Sequence, residues 1–282
     1  MSNILLTGST GFIGSNILQS LLKNNRVYII LRKQKKNRYQ FKRNIKILKF
    51  KNYNELNRRL ENIRVDTVIH SATYYVKKHS IQDVKKLAES NILLGNIILE
   101  NIHKMKVKKF INFSTVWEDS DKINSFINLY AAYKKGFSSI LGYYKKKLPK
   151  IKFYELMLSD TFGKNDQRPK IINTLKKNYK IRKITKIISK NLYLNLLNVE
   201  DIVHAVNIIL KKKIKPNRYV LKSTKNLKIF NLITSFNKKN RKKIKVNWQS
   251  KTMIKNKIYS YKKLKNWKPK KSNIDDIINL IK

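Results

Sequence analysis

Tyr130 and Lys134 stand four residues apart in the segment Tyr130-Ala131-Ala132-Tyr133-Lys134, so a helix there places both side chains on one face. An ammonium beside a phenol favours the phenolate, and such a pair can move a proton to or from a carbonyl or alcohol oxygen. Just upstream, the apolar run Phe110-Ile111-Asn112-Phe113 ends in two hydroxyls, Ser114 and Thr115. A hydroxyl at a strand end can hydrogen-bond the reacting oxygen. Thr115 is the preferred candidate, and alternation along the strand decides which of the two faces the site. With 15 tyrosines and abundant lysine in the chain, the Tyr-Lys spacing arises easily by chance. Its meaning therefore depends on what surrounds it.

A second constellation lies at the N-terminus. Thr7-Gly8-Ser9-Thr10-Gly11-Phe12-Ile13-Gly14 follows an apolar strand and opens a helix. Gly8 permits a tight turn, Gly11 lets the backbone approach a pyrophosphate, and Gly14 lets helix and strand pack closely. The helix start at Phe12 and Ile13 presents free N–H groups to the phosphates. The whole chain has only seven glycines, and three of them fall here at regular spacing. The turn reads as a dinucleotide-binding one. The second strand ends in Leu31-Arg32, where an acidic residue would select the ribose hydroxyls of NAD. A basic residue there suits a 2′-phosphate, so NADP is favoured over NAD.

The glycine turn, the strand-end Ser/Thr and Tyr-x-x-x-Lys, in that order, resemble the extended short-chain dehydrogenase/reductase family, the NAD-dependent epimerases and dehydratases. Supporting matches run along most of the chain. Val68-Ile69-His70-Ser71-Ala72 is similar to the family's fourth-strand motif beside the cofactor, which adds Ala72 to the cofactor contacts. Asn91-Ile92-Leu93-Leu94-Gly95-Asn96-Ile97 is similar to the helix that follows it, and Leu196-Leu197-Asn198-Val199-Glu200-Asp201-Ile202 to a late segment whose Asp is read as structural. The resemblance implies that Tyr130 is the acid/base, that Lys134 holds the cofactor ribose and supports Tyr130, and that Thr115 holds the substrate oxygen.

Within that family, Asn128 to Ala132, Leu158 to Gly163 and Asp166 to Lys170 look most like nucleotide-sugar enzymes, nearest to bacterial 4-ketoreductases and epimerases of surface polysaccharide synthesis. Asp160, Arg168 and Lys170 would then lie near the sugar nucleotide, with Arg168 and Lys170 chemically apt for its pyrophosphate. A 4-keto reduction is the leading expectation. An epimerase or dehydratase with tightly bound NAD uses the same residues, and a non-enzymatic protein binding a dinucleotide and a polyanion is the rival of another class. The family also implies a homodimer. Departures are visible: Tyr133 precedes the lysine where Ser or Thr is frequent, Lys51-Asn52 ends the third strand where an Asp near the adenine is common, and Asp160 stands where many members have Asn.

These residues need a scaffold, and the hydropathy pattern supplies one. Strands are expected at Ile4 to Thr7, Val27 to Leu31, Ile45 to Phe50, Thr67 to His70, Lys109 to Phe113 and Phe153 to Leu158. Helical periodicity lies between them, at Asn16 to Lys23, Ile81 to His103 and Tyr130 to Tyr144. Such alternation builds an α/β fold, here a Rossmann-like, doubly wound parallel sheet. Residues 1–160 form the expected NAD(P)-binding domain and residues 161–282 a small α/β substrate lobe, with about 190–205 returning to the first domain. A later strand is expected at Arg218 to Leu221, and a terminal helix at Ile274 to Ile281 capped by Ser272 or Asn273.

Composition bounds the rest. The 282 residues are 41% hydrophobic, enough for a full core. The formal net charge of +49 raises nucleic acid as a partner. Lysine outnumbers arginine roughly five to one, however, which fits compositional drift better than phosphate recognition by Arg forks. No specific nucleic-acid partner is expected. Cysteine is absent, which excludes disulfides and thiolate metal sites, and the four scattered histidines suggest no metal. No signal peptide and no apolar stretch of spanning length is seen, so a cytoplasmic location is the expectation.

Overall fold

The computed structural model describes residues 1–32, 43–119, 126–249 and 262–282. In chain order the first elements are β1 (Ser2–Thr7), α1 (Phe12–Leu21), β2 (Asn25–Arg32), β3 (Ile45–Phe50), α2 (Tyr53–Glu61), β4 (Thr67–His70) and α3 (Ile81–Ala88). A π-helical turn, Glu89–Leu93, joins α3 to α4 (Leu94–Glu100). Then come β5 (Lys109–Thr115), a 3-10 turn at Val116–Asp119, α5 (Leu129–Lys147) and β6 (Lys152–Leu158). The remainder comprises β7 (Asp160–Phe162), α6 (Ile171–Lys180), β8 (Thr185–Ile187), β9 (Tyr193–Leu194), β10 (Leu196–Asn198), α7 (Val199–Lys211), β11 (Arg218–Leu221), β12 (Leu227–Lys228), α8 (Ile229–Lys239), β13 (Val246–Trp248) and α9 (Ile274–Ile281).

A seven-stranded sheet has the order β11-β6-β5-β4-β1-β2-β3. The pairings of β1 with β2 and β4, β2 with β3, and β4 with β5 are all parallel. The Rossmann-like α/β fold expected from the alternating pattern is therefore present. Its inner strands are buried on both faces, which explains runs such as Val27 to Leu31 that are apolar without alternation, whereas the edge strand β3 alternates between buried and exposed residues.

The described chain divides into two compact units, Met1–Met157 with Lys213–Tyr219, and Leu158–Lys212 with Val220–Lys282. In this division the returning segment is Lys213–Tyr219, and residues 190–205 group with the second unit. The first unit packs α2, α4 and α5 through Leu56, Leu60, Ile98, Leu99, Phe137 and Leu141 onto Leu5, Val68 and Phe110 of the sheet. The second has its own core, in which α6, α8 and α9 bury Leu175, Leu232, Phe236 and Ile278.

Two local devices define helix boundaries. Asn52 ends the β3 connection by capping α2, its side chain accepting from Glu55 N at 2.9 Å, while Lys51 N donates to Glu55 Oε2 at 2.8 Å. Of the two candidates for capping α9, Asn273 does so, accepting from Asp276 N at 2.9 Å. Ser272 is committed elsewhere: its Oγ donates to Asp201 Oδ2 at 2.6 Å. Asp201 is 2% exposed and also accepts from Lys270 N at 2.7 Å and Lys271 N at 3.0 Å. A buried carboxylate surrounded by donors ties the C-terminal segment to α7. Among the described residues no helix is long and apolar enough to cross a membrane.

Removing the Asp201 carboxylate leaves those donors unpaired, so Asp201→Ala should cost about 3 kcal/mol in a urea titration that follows the second unit. An unchanged midpoint would show that the segment is held by other contacts. His70 supplies a second test. It is buried between Phe110 and Phe137, its Nδ1 is 3.0 Å from Thr7 Oγ1, and burial, with the Lys134 charge adding to it, lowers its pKa from 6.5 to about 3. A histidine neutral in the folded state and protonated in the unfolded one adds stability above pH 6.5 that is lost as pH falls toward 3. Melting temperature followed from pH 7 to pH 4 should therefore fall less steeply in His70→Gln than in the parent.

Candidate active site

The turn after β1 is assembled by backbone packing. Gly8 has φ +70°, in the left-handed region, and a Cβ there would meet Ala72 N at 2.7 Å. At Gly14 a Cβ would meet Gly8 O at 2.1 Å and Ser71 Oγ at 2.8 Å, so only hydrogen fits. Thr7 locks the two strand ends together: its Oγ1 accepts from Ala72 N at 3.0 Å and its carbonyl accepts from Ser71 Oγ at 3.0 Å. Gly11 is the N-cap of α1, no side chain caps that end, and no acidic residue occupies the first turn containing Phe12 and Ile13. A helix start with no acidic residue in its own first turn suits an anion. This turn fits a dinucleotide pyrophosphate.

Arg32, the last residue of β2, is exposed, and its guanidinium lies 3.4 Å from Glu89 Oε2. Its charge also acts on the Tyr53 hydroxyl, opposing the rise in pKa that burial gives that group. Glu89 begins the π-helical turn, an extra residue in the coil within the helix expected over Ile81 to His103, which runs on through α4 to Glu100. Asn91 within that turn is buried; its Nδ2 donates to Tyr74 O at 3.0 Å and its Oδ1 accepts from Thr73 Oγ1 at 2.5 Å. Neither Glu89 nor the π-turn is legible from the residue pattern, because one inserted residue leaves the apolar spacing nearly intact.

At the end of β5 the two hydroxyls diverge, as alternation requires. Ser114 Oγ donates to Glu118 Oε1 at 2.6 Å, on the side facing α5. Thr115 Oγ1 instead accepts from Trp117 N at 3.3 Å. The Trp117 ring lies 5.8 Å from that of Tyr75, which meets the Tyr130 ring edge-on at 5.1 Å. An aromatic bridge thus connects the Thr115 turn to the start of α5. That helix begins at Leu129, capped by Asn128, whose side chain accepts from Ala131 N at 2.9 Å. Tyr130 is therefore in the first turn and Lys134 one turn further on the same face. Lys134 is 3% exposed. Burial pulls its ammonium down from 10.5 to about 8, against the pull of Glu118 and Glu155 in the other direction.

The remaining sequence-selected residues belong to the second unit. Lys170 Nζ is 3.1 Å from Asp160 Oδ1. Arg168 forms a fork on Asp166, with Nε to Oδ1 at 2.7 Å and Nη2 to Oδ2 at 2.8 Å, and also reaches Thr161 O at 3.0 Å. Asp166 is not one of the site residues expected from the sequence, although an Asp two positions before an Arg on a short loop is a usable signal for such a fork. Among the described residues no group of His, Asp or Glu is arranged to hold a metal.

Residues 4–221 match the model of the NAD dependent epimerase/dehydratase family. The CDP-abequose synthase of Salmonella muenchen is 25% identical over 216 residues, covering 77% of this chain and 72% of that protein. The dTDP-D-glucose 4,6-dehydratase of Dictyostelium discoideum is 32% identical over 255 residues, covering 75% of this chain but only 56% of that one. Among solved structures, the UDP-glucuronic acid 4-epimerase of Bacillus cereus, a complex containing NAD, superposes with a TM-score of 0.81 at 20% identity, covering 99% of this chain and 98% of that one. The UDP-glucose 4-epimerase of Thermotoga maritima gives a TM-score of 0.80 at 20% identity, covering 99% and 97%. At that identity the structural likeness speaks for the fold. The family match spans most of the chain, and the protein belongs to the NAD dependent epimerase/dehydratase family.

Proposed function

We propose that this protein is an NAD(P)-dependent oxidoreductase that reduces the 4-keto group of a nucleotide-activated sugar, with NADP as the favoured cofactor. The observation that carries this reading is Lys134, buried one helical turn from Tyr130 in a chain whose glycine turn suits a dinucleotide. Similarity to proteins named CDP-abequose synthase in Salmonella muenchen and Yersinia pseudotuberculosis supports a nucleotide sugar as the substrate class.

The side chains divide the work. Gly8, Gly11, Gly14 and the first turn of α1 at Phe12 and Ile13 would take the pyrophosphate, Ala72 would border the cofactor, and Arg32 would meet a 2′-phosphate. When bound, the dinucleotide supplies the hydride. Tyr130 hands a proton to the carbonyl oxygen as the alcohol forms, Thr115 holds that oxygen by a hydrogen bond, and Lys134 holds the ribose and stabilises the phenolate left on Tyr130. Asp160, Arg168 and Lys170 would bind the sugar nucleotide. A homodimer and a cytoplasmic location belong to the same reading.

One observation favours a second reading, in which the same residues epimerise a nucleotide sugar around retained NAD. Glu89 neutralises Arg32, and a paired guanidinium discriminates less strongly for a 2′-phosphate. The pair is partly exposed, so a 2′-phosphate could displace the Glu89 carboxylate.

Fluorescence titration separates the cofactors. NADPH should bind more tightly than NADH, Arg32→Ala should reduce NADPH affinity about tenfold, and Glu89→Gln should raise it by a few-fold. Tighter binding of NADH by the parent protein would favour the epimerase. With a nucleotide-linked 4-keto-6-deoxy sugar, Tyr130→Phe should lower kcat by about a hundredfold or more while NADPH affinity stays within a factor of about two. Interconversion of sugars without net NADPH consumption would overturn the reductase assignment.

A further inference from the structure

Beneath Lys134 lies a charged cluster that the reading above does not use. Glu118, from the 3-10 turn after β5, and Glu155, from β6, have side chains 0% and 1% exposed. Between them sits Arg218 at the start of β11, whose Nη2 pairs with Glu118 Oε1 and whose Nε is 2.8 Å from Glu155 Oε1. Ser138 Oγ, on α5, is within hydrogen-bonding distance of both carboxylates, 3.2 Å from Glu118 Oε2 and 2.9 Å from Glu155 Oε1. Ser114, next to Thr115 in the chain, donates to Glu118 at 2.6 Å.

Lys134 and Ser138 are four residues apart on α5, so the helix stacks the lysine one turn above the serine that touches both carboxylates. The two glutamates and the arginine would carry a net charge of −1 by themselves. Adding the Lys134 ammonium makes the buried set neutral. Two buried carboxylates sharing one guanidinium are an expensive arrangement; of the further described cations near them, Lys145 reaches Glu155 Oε2 at 4.0 Å from a side chain 36% exposed, and Lys134 is the buried one. Both glutamates act on Lys134 electrostatically.

We propose that Glu118, Glu155 and Arg218 are positioning residues for Lys134: the two carboxylates keep its ammonium charged and directed along α5, and Arg218 holds them apart while cancelling their surplus charge. Ser138 and Ser114 tie the cluster to the helix that carries Tyr130 and Lys134 and to the strand end that carries Thr115. A site with this support presents a charged lysine inside a desolvated pocket, where an unsupported one would shed its proton.

The inference rests on the assignment of Lys134 to the cofactor ribose, and its test separates the two. Among the described residues, the charged or titratable groups that interact with Lys134 electrostatically are Glu118, Glu155 and His70 from β4; Tyr130 stands one turn away on its own helix, Arg218 pairs with the two carboxylates, and Lys145 reaches Glu155 at 4.0 Å. His70, held neutral down to about pH 3, does not titrate in the neutral range. NADPH affinity would be measured by fluorescence from pH 7 to pH 9.5 for the parent, Glu118→Gln, Glu155→Gln, Glu118→Asp and Lys134→Met, with melting temperature recorded for each.

The parent should lose affinity as pH rises through about 8, where the Lys134 ammonium deprotonates. Each Glu→Gln variant should move that loss down by about one pH unit, and Glu118→Asp, which restores the charge, should move it back. Lys134→Met should show no such step. Either Gln variant suffices if the other fails to fold. NADPH binding with the same pH step in the parent and in both Gln variants would overturn the positioning role while leaving the cofactor assignment intact. A parent whose pH step survives Lys134→Met would overturn the assignment on which the role rests.

Discussion

The architecture depends on a place where no side chain can exist. Gly14 of α1 sits so close to the Gly8 carbonyl that a Cβ would overlap it at 2.1 Å, and a Cβ on Gly8 would overlap the backbone of Ser71 and Ala72. Through this contact the first helix, the end of β1 and the end of β4 become one rigid corner. Thr7 completes it by accepting from Ala72 N and by contacting the His70 ring. The helix can then present its uncapped N-terminus just beyond the strand ends, where ligands bind in open α/β sheets.

A polar layer continues from that corner along the face of the sheet covered by α5. His70 and Asn112 are directly paired across β4 and β5, and Ser114, Glu118, Lys134 and Glu155 follow, each no more than 3% exposed. Apolar packing above and below this layer, from Phe110, Phe137 and Phe153, seals it from water. A desolvated layer strengthens every charge interaction within it and raises the cost of any unpaired group. That is the physical reason for the guanidinium of Arg218, which arrives from far along the chain on the returning segment Lys213–Tyr219.

The second unit solves a similar problem by different means. Its two-stranded pairings are short, and Asp201 does much of the tying, gathering two backbone amides and the Ser272 hydroxyl from residues about 70 positions later. Asn198 adds to this by accepting from Glu200 N and donating to Lys271 O. On this unit Arg168 and Lys170 each hold an acidic partner, so the excess lysine of the chain is not simply a solvated coat where the candidate substrate residues lie.

The sequence by itself determined the α/β class, the six strands of the first domain, the glycine corner and the Tyr130-Lys134 spacing. These are local properties, written in hydropathy period, in the need for glycine where a Cβ cannot fit, and in the helical repeat. It also separated Ser114 from Thr115 in principle, because alternate residues of a strand face opposite sides. Tertiary structure alone decided the partners: Glu89 on Arg32, Asp166 on Arg168, Glu118 and Glu155 on Arg218, and the π-turn inside the stretch that reads as one helix. Charge pairing inside a folded core depends on which distant segments are brought within a few ångströms, and in a chain so rich in lysine no pattern of residue types marks which few carboxylates will be buried and which cation will meet them.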